Sequence, residues 1–249
     1  MDLGIAGRRA AVAAGSAGLG LGSARALVAE GVSVAICGRD AARLTAACAE
    51  LGPSTVGVVA DLSIPEEATH FATEAAELLG GPLDIVVANS GGPPAGLPTQ
   101  TSIEDYVAAM ELNFLSTVAL CNAAVGPMQA AGWGRIVAIT SIGARQPIPD
   151  LAASGAARAA VTSYVKALSS EVAATGVTAN TIQPGTHDTA RVRALYGDSL
   201  SDRGTALPVR RLGDADDFGA AVAFLCSRQA GFITGASLIV DGGASRGLQ

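Results

Sequence analysis

The stretch AAGSAGLGLGSARAL, residues 13–27, decides the fold. It follows an apolar run, residues 10–14, and opens an alanine-rich segment of helical period, so it reads as a strand-to-helix turn. Its glycines leave the backbone bare, and bare N–H groups at the start of a helix form a cradle for phosphate. The literal G-x-G-x-x-G spacing fits no register here. A looser set remains, Gly15, Gly18, Gly20 and Gly22, for which a plain flexible turn is the alternative.

Outward from this turn, short β-branched runs alternate with longer helical segments. Strands are predicted at 10–14, 33–37, 55–60, 85–88, 136–140, 177–182 and 237–240, and helices at 19–30, 41–51, 65–79, 103–131, 154–175 and 214–226. Strands separated by helices of this length require right-handed crossovers and a parallel sheet buried on both faces. The expectation is an α/β, doubly wound Rossmann fold of about seven strands in a single domain spanning 1–249. Pro65 with Glu66 and Glu67, and Asp214 with Asp216 and Asp217, have the chemistry of helix starts; Gly80, Gly81 and Pro82 mark a stop. Residues 186–208 lack a clear pattern and follow a strand's carboxyl end, where a substrate lid is expected.

Composition narrows the partners. Hydrophobic residues make up 49% and aromatics only 4%, so the core is built from Ala, Val, Leu and Ile. A net charge of −6 offers no basic surface to nucleic acid. No stretch approaches the ~20 apolar residues of a membrane span, and MDLGIAGRR has no apolar leader core, which predicts a soluble, cytoplasmic protein. Cys37, Cys48, Cys121 and Cys226 form no CxxC pair and read as buried reduced thiols; no metal site is expected.

The second strand ends in Cys37, Gly38, Arg39 and Asp40. No acid stands where a ribose 2′-hydroxyl would be gripped, and Arg39 can pair with a 2′-phosphate, which favours NADP(H) over NAD; a solvated arginine at a helix start is the plainer reading. Asp61, followed by Leu62, lies at the end of the third strand, within reach of an adenine or serving as a helix cap.

With these residues in hand the chain resembles the short-chain dehydrogenases/reductases, of the compact 3-oxoacyl-carrier-protein reductase kind, over essentially its whole length. Gly18, Leu19 and Gly20, preceded by Gly15 and Ser16, match the end of that family's TGxxxGxG loop, and Asp61 its adenine-binding acid. Asn89, Ser90, Gly91 and Gly92 are similar to its NNAG segment, and Asn113 to its helix asparagine. Thr140 and Ser141 resemble the fifth-strand serine, Pro184, Gly185 and Thr189 the PGxxxT loop over nicotinamide, and FITGASLIVDGG the C-terminal signature. The resemblance implies a homotetramer or homodimer, with the apolar C-terminal segment at an interface.

Two departures matter. Ala14 replaces the loop's first glycine, tolerable where its φ is negative. The family's YxxxK begins thirteen residues beyond the serine, and that count from Ser141 lands on Ser154, with Arg158 four further on. A serine hydroxyl is about as weak an acid as water, roughly 6 units above a phenol, about 8 kcal/mol of proton-transfer driving force. Arg158 can still hold ribose hydroxyls or an oxyanion but cannot relay a proton, since it stays charged. Tyr164 and Lys166 lie about 15 and 18 Å along the helix from Ser154 and do not substitute. His187, in the loop that the resemblance sets beside nicotinamide, is a candidate donor, and Tyr196 on the lid a second.

The candidate catalytic set is therefore Ser141, Ser154, Arg158, Asn113 and His187. The leading function is an NADPH-dependent reductase of a hydrophobic ketone, enone or quinone, including polyketide-like carbonyls, whose reduced oxygen is a stabilised anion. Pro93, Pro94, Gln146, Pro147 and Ile148 would form its pocket wall. A dehydratase, isomerase or cyclase on the same fold, and a noncatalytic NADP-binding protein, are the alternatives.

Overall fold

The computed structural model describes residues 1–248. Seven strands, β1 (Arg9–Val12), β2 (Ser33–Gly38), β3 (Thr55–Val59), β4 (Ile85–Ala88), β5 (Gly134–Ile139), β6 (Val177–Pro184) and β7 (Ser237–Val240), pair in parallel in the order β3-β2-β1-β4-β5-β6-β7. The chain starts in the middle, winds out to β3, crosses back to β4 and winds out the other way to β7. The reversal falls between β1 and β4, and a crevice opens there beyond the strands' carboxyl ends.

Helices α1 (Gly18–Ala29), α2 (Ala41–Leu51) and α9 (Ala215–Cys226) cover one face, burying Leu27, Leu44 and Phe218 against Val12, Ile36 and Ile182. On the other face α3 (Pro65–Leu78), α5 (Ser116–Ala131) and α6 (Ala152–Val172) bury Phe71, Leu120 and Val161 against Val86, Ile136 and Ala179. With both faces covered, the central strands show no polar alternation: β4 and β5 are buried at every position. The predicted punctuation is present. Pro65 opens α3, Gly80 beyond its end has φ 74°, and the Asp214 carboxylate accepts from the Asp216 and Asp217 amides to cap α9.

Three expectations need correction. The segment 103–131 is not one regular helix: α4 (Ile103–Ala109) runs into a π-helical turn, Met110–Leu115, before α5. The stretch 186–208 is not patternless, since it holds α7 (Ala190–Tyr196) and α8 (Leu200–Ala206). Ile103–Ala131 is also long and apolar enough to cross a membrane by length and composition. Here it packs within the domain, where Leu120, Cys121, Ala124 and Met128 join the core.

Cys37, Cys121 and Cys226 are buried free thiols, which burial pushes up to about 12; Cys48 is half-buried. No metal-binding cluster occurs among the described residues. At the β7 edge, Leu238 on the strand and Phe224 on α9 remain exposed.

Candidate active site

The crevice is a cleft of about 980 Å³ running from the β2 and β3 ends, across the glycine loop, to the β5 end and α7. Its floor begins at the loop after β1. Gly18 needs its left-handed φ of 56°, and a Cβ on Gly20 would collide with the Ala14 carbonyl and stand 2.8 Å from Asn89 Nδ2. Gly15 is equally tight, since its Cβ would come 2.7 Å from Ile36 Cγ2. Only glycine lets this turn lie flat on the strand ends, so the loop is a cradle rather than a slack connection. Ala14 is the exception: its φ is 46°, not negative as the sequence reading required, so its Cβ is held in the left-handed region.

Within the loop, Ser16 lies against Gly38, its Oγ 2.6 Å from where a Gly38 Cβ would be, the Gly15 amide donates to the Cys37 carbonyl at 3.0 Å, and Gly18 and Leu19 line the cleft. The Arg39 side chain is 75% exposed at the cleft mouth, 3.7 Å from Asp61 Oδ2. Asp61 Oδ1 accepts from the Ser63 amide at 2.9 Å and from its hydroxyl at 2.8 Å. Burial alone would raise that carboxyl, but the Ser63 donors and Arg39 outweigh it and hold it below the usual range. Leu62 lies beside it, lining the cleft.

At the other end, Asn89 Nδ2 donates to the Ala14 carbonyl at 3.4 Å, tying the β4 end to the glycine loop. Asn113, carried on the π turn, donates through Nδ2 to Ser90 Oγ at 2.7 Å and to the Gly91 carbonyl at 2.8 Å. Asn113 thus shapes the 89–92 loop. Its Oδ1 is buried without a partner.

Ser141 caps a short turn after β5, its Oγ accepting from the Gly143 amide at 2.9 Å. Ser154, in the first turn of α6, is buried, and its Oγ accepts from Arg158 Nε at 3.3 Å. Arg158 reaches back across the sheet end, donating through Nη1 to the carbonyls of Ile139 and Thr140 at 2.8 and 2.9 Å. Burial, with help from nearby Arg191, brings its guanidinium down to about 10, still charged at neutral pH. The cleft therefore gathers Ser141, Ser154 and Arg158 beside Pro184, Gly185 and Thr189. Of the expected wall, Pro93, Pro94 and Ile148 line the cleft, whereas Gln146 turns to the Arg246 amide at 3.2 Å.

His187 belongs elsewhere. The residue borders the cleft but is only 4% exposed, its Nδ1 lies 3.2 Å from the Gly185 carbonyl, and its ring meets Phe218 edge-on at 5.1 Å. A Cβ on Gly213 would come 2.6 Å from Nε2, so that nitrogen faces the chain and not the cleft. Burial lowers its pKa, and a neutral, inward-facing imidazole is a packing group, which corrects its expected role as proton donor. Tyr164 and Lys166 do lie outside the cleft, in contact with Asn122 and with the Gly235 carbonyl. Tyr196 lines the cleft, stacked under Arg203 at 3.6 Å, and burial raises its phenol. Missed by the sequence reading is Arg191 on α7, which donates to the Pro93 carbonyl at 2.8 Å; an arginine in a segment of unknown form carries no signal of its own.

Comparison with known proteins agrees with this architecture. Residues 13–245 match the family model described as enoyl-(acyl carrier protein) reductase. L-fucose dehydrogenase of Bos taurus is 35% identical over 253 residues, covering 97% of this chain and 91% of that protein. A solved short chain dehydrogenase/reductase family protein superimposes with a TM-score of 0.89 at 35% identity, covering 98% of both chains. An NADPH-bound short chain oxidoreductase from Pseudomonas aeruginosa, described as containing an atypical catalytic center, has a TM-score of 0.89 at 29% identity, covering 97% of this chain and 98% of that one. The chain belongs to the short-chain dehydrogenase/reductase family of oxidoreductases.

Proposed function

We propose that the chain is an NADPH-dependent reductase of a hydrophobic ketone, enone or quinone, polyketide-like carbonyls included, working without a tyrosine acid. The observation that carries this reading is the grouping of Ser141, Ser154 and Arg158 at one end of a large cleft whose other end is a bare glycine cradle. The cradle fits a dinucleotide. Gly15, Ser16, Gly18, Leu19 and Gly20 would hold the pyrophosphate, Arg39 the 2′-phosphate, and Asp61 and Leu62 the adenine. Asn89, Gly91, Arg158, Pro184, Gly185 and Thr189 would hold the nicotinamide half. When bound, the cofactor would supply a hydride, to the carbonyl carbon of a ketone or to the conjugate carbon of an enone or quinone, where the electron pair passes to the oxygen as a delocalised anion.

The chain's own groups act on the oxygen. Ser141 Oγ and Ser154 Oγ each accept from an N–H donor, which engages a lone pair and leaves each hydroxyl proton for a substrate oxygen. Arg158 adds a positive field in a partly dry site, where it favours developing negative charge. Neither serine hydroxyl surrenders a proton as readily as a phenol, and Arg158 is held on the Ile139 and Thr140 carbonyls, so the proton comes from water or from the substrate itself. Substrates whose reduced oxygen is a stabilised anion need the acid least. Residues 186–208 act as the lid, and the working form is a cytoplasmic homotetramer or homodimer associating through the β7 edge.

The test is NADPH consumption measured against a panel of quinones, enones and unactivated ketones. Quinones or enones should be reduced at least about a hundredfold faster than plain ketones, and Ser154→Ala should lower kcat about 10- to 100-fold. Substrate turnover without nucleotide oxidation would instead point to a dehydratase, isomerase or cyclase. NADPH binding with no turnover of any carbonyl would point to a noncatalytic protein.

A further inference from the structure

The substrate end of the cleft holds two guanidinium groups and no carboxylate. Its lining from the β4 and β5 ends and from α7 includes Arg158 and Arg191, while the acids that line the cleft, Asp40 and Asp61, stand at the Arg39 end. Neither arginine forms an ion pair among the described residues. Elsewhere arginines find acids readily, Arg8 with Asp84, Arg25 with Glu50 and Asp216, and Arg193 with Asp188. The chain carries 22 Asp and Glu against 16 Lys and Arg, so the lack of partners in the cleft is not scarcity.

Arg191 is the more available of the two. Its side chain lies over Gly92, where any Cβ would collide with the guanidinium, and among the described residues it donates one hydrogen bond, to the Pro93 carbonyl. A guanidinium has five N–H donors, so several remain for a planar oxyanion. Arg158 is deeper and anchored, but its charge is balanced only by carbonyl and hydroxyl dipoles. Burial and mutual repulsion both disfavour its charged form, a cost that an anion placed nearby would offset. Thr140 lies at the same end, its hydroxyl buried without a partner among the described residues.

We propose that Arg158 and Arg191 recognise an anionic group, a carboxylate or similar small oxyanion, carried by the substrate near its reacting carbonyl. The inference rests on the reductase reading and narrows its substrate class to apolar carbonyl compounds that also bear an acid. A cofactor pyrophosphate is the other source of the same chemistry, and the experiment separates the two.

Malonate and its neutral isostere malonamide are titrated by calorimetry into the full chain, with and without saturating NADP⁺, for wild type, Arg191→Gln and Arg191→Lys. The expected result is that malonate binds the NADP⁺-saturated wild type at least about tenfold more tightly than malonamide. Arg191→Gln should abolish that preference while changing NADP⁺ affinity less than about threefold, and Arg191→Lys should keep part of it. Malonate expelled by NADP⁺, with Arg191→Gln weakening NADP⁺ about tenfold or more, assigns the pair to the pyrophosphate and overturns the proposal. Equal binding of malonate and malonamide to wild type overturns it as well, a criterion that stands even if a variant fails to fold. A wild type that binds no NADP⁺ refutes the reductase reading alone; an Arg191-dependent preference for malonate in that protein would still support the anion site.

Discussion

Ala14 carries a methyl group into backbone space that glycine fills without cost. At φ 46° an alanine gives up roughly 1–2 kcal/mol, against about 0.5–1 kcal/mol for glycine's greater freedom in the unfolded chain. Ala14→Gly should therefore stabilise the protein by about 0.5–1 kcal/mol, a rise in Tm of about 1–4 °C by calorimetry. An unchanged or lower Tm would mean that the loop relaxes around the methyl. His187 makes a prediction in pH. Its imidazole is kept below the ordinary value by burial, so the unfolded chain takes up a proton near 6.5 that the folded chain resists. Stability contributed by neutral His187 is present above that value and lost as pH falls through it. Urea unfolding between pH 7 and 5 should show this loss in wild type and a flatter profile in His187→Gln; parallel profiles would contradict the assignment. At this scale the sequence told much about Ser154 and Arg158, because a fixed spacing within one strand–helix unit survives folding. The sign of one φ at Ala14 and the direction of one ring at His187 depend on partners distant in sequence, Asn89 and Phe218, and no local pattern announces them.

Between elements, the decisive contact is the crossing of α1 and α9. A Cβ on Gly22 would strike the Ala215 carbonyl, and one on Gly219 would strike the Gly22 carbonyl, so the two helices meet backbone to backbone. Rigid main chain on both sides cannot yield as a side chain would. Gly22→Ala should cost about 1–3 kcal/mol and, because α1 begins at the glycine cradle, weaken nicotinamide dinucleotide binding with it. Thermal melts and nucleotide titration check both, and intact binding at reduced Tm would uncouple the helix crossing from the cradle. The π turn at Met110–Leu115 is the element the sequence hid. A single extra residue in a helical register leaves the apolar pattern nearly intact, yet it delivers Asn113 to Ser90 and Gly91. Helices α7 and α8 were hidden for another reason: each is only 7 residues long, too short for a period to emerge.

Across the whole molecule, the alternation of strand and helix was readable from end to end, because a sheet covered on both faces leaves nearly continuous apolar runs. The order of the strands was not readable from the runs, because it depends on which way each crossover carries the chain along the sheet, and that is fixed by packing between elements distant in sequence. What composition could not convey is how charge is distributed. The chain as a whole is negative by 6, while the innermost end of its cleft is lined by cations without acids. An approaching anion, the dinucleotide included, therefore climbs a repulsive field at long range before it falls into an attractive one. Ionic strength shortens the outer field first, since screening acts over about 10 Å at 0.1 M salt and reaches buried groups far less. Stopped-flow capture of NADPH should accordingly speed up with moderate salt, whereas a rate that only falls would mean that the cleft's own potential already dominates at the surface. A rate that rises would make the molecule an electrostatic funnel with a raised rim, slow to admit its ligands in dilute buffer and quicker once salt flattens that rim.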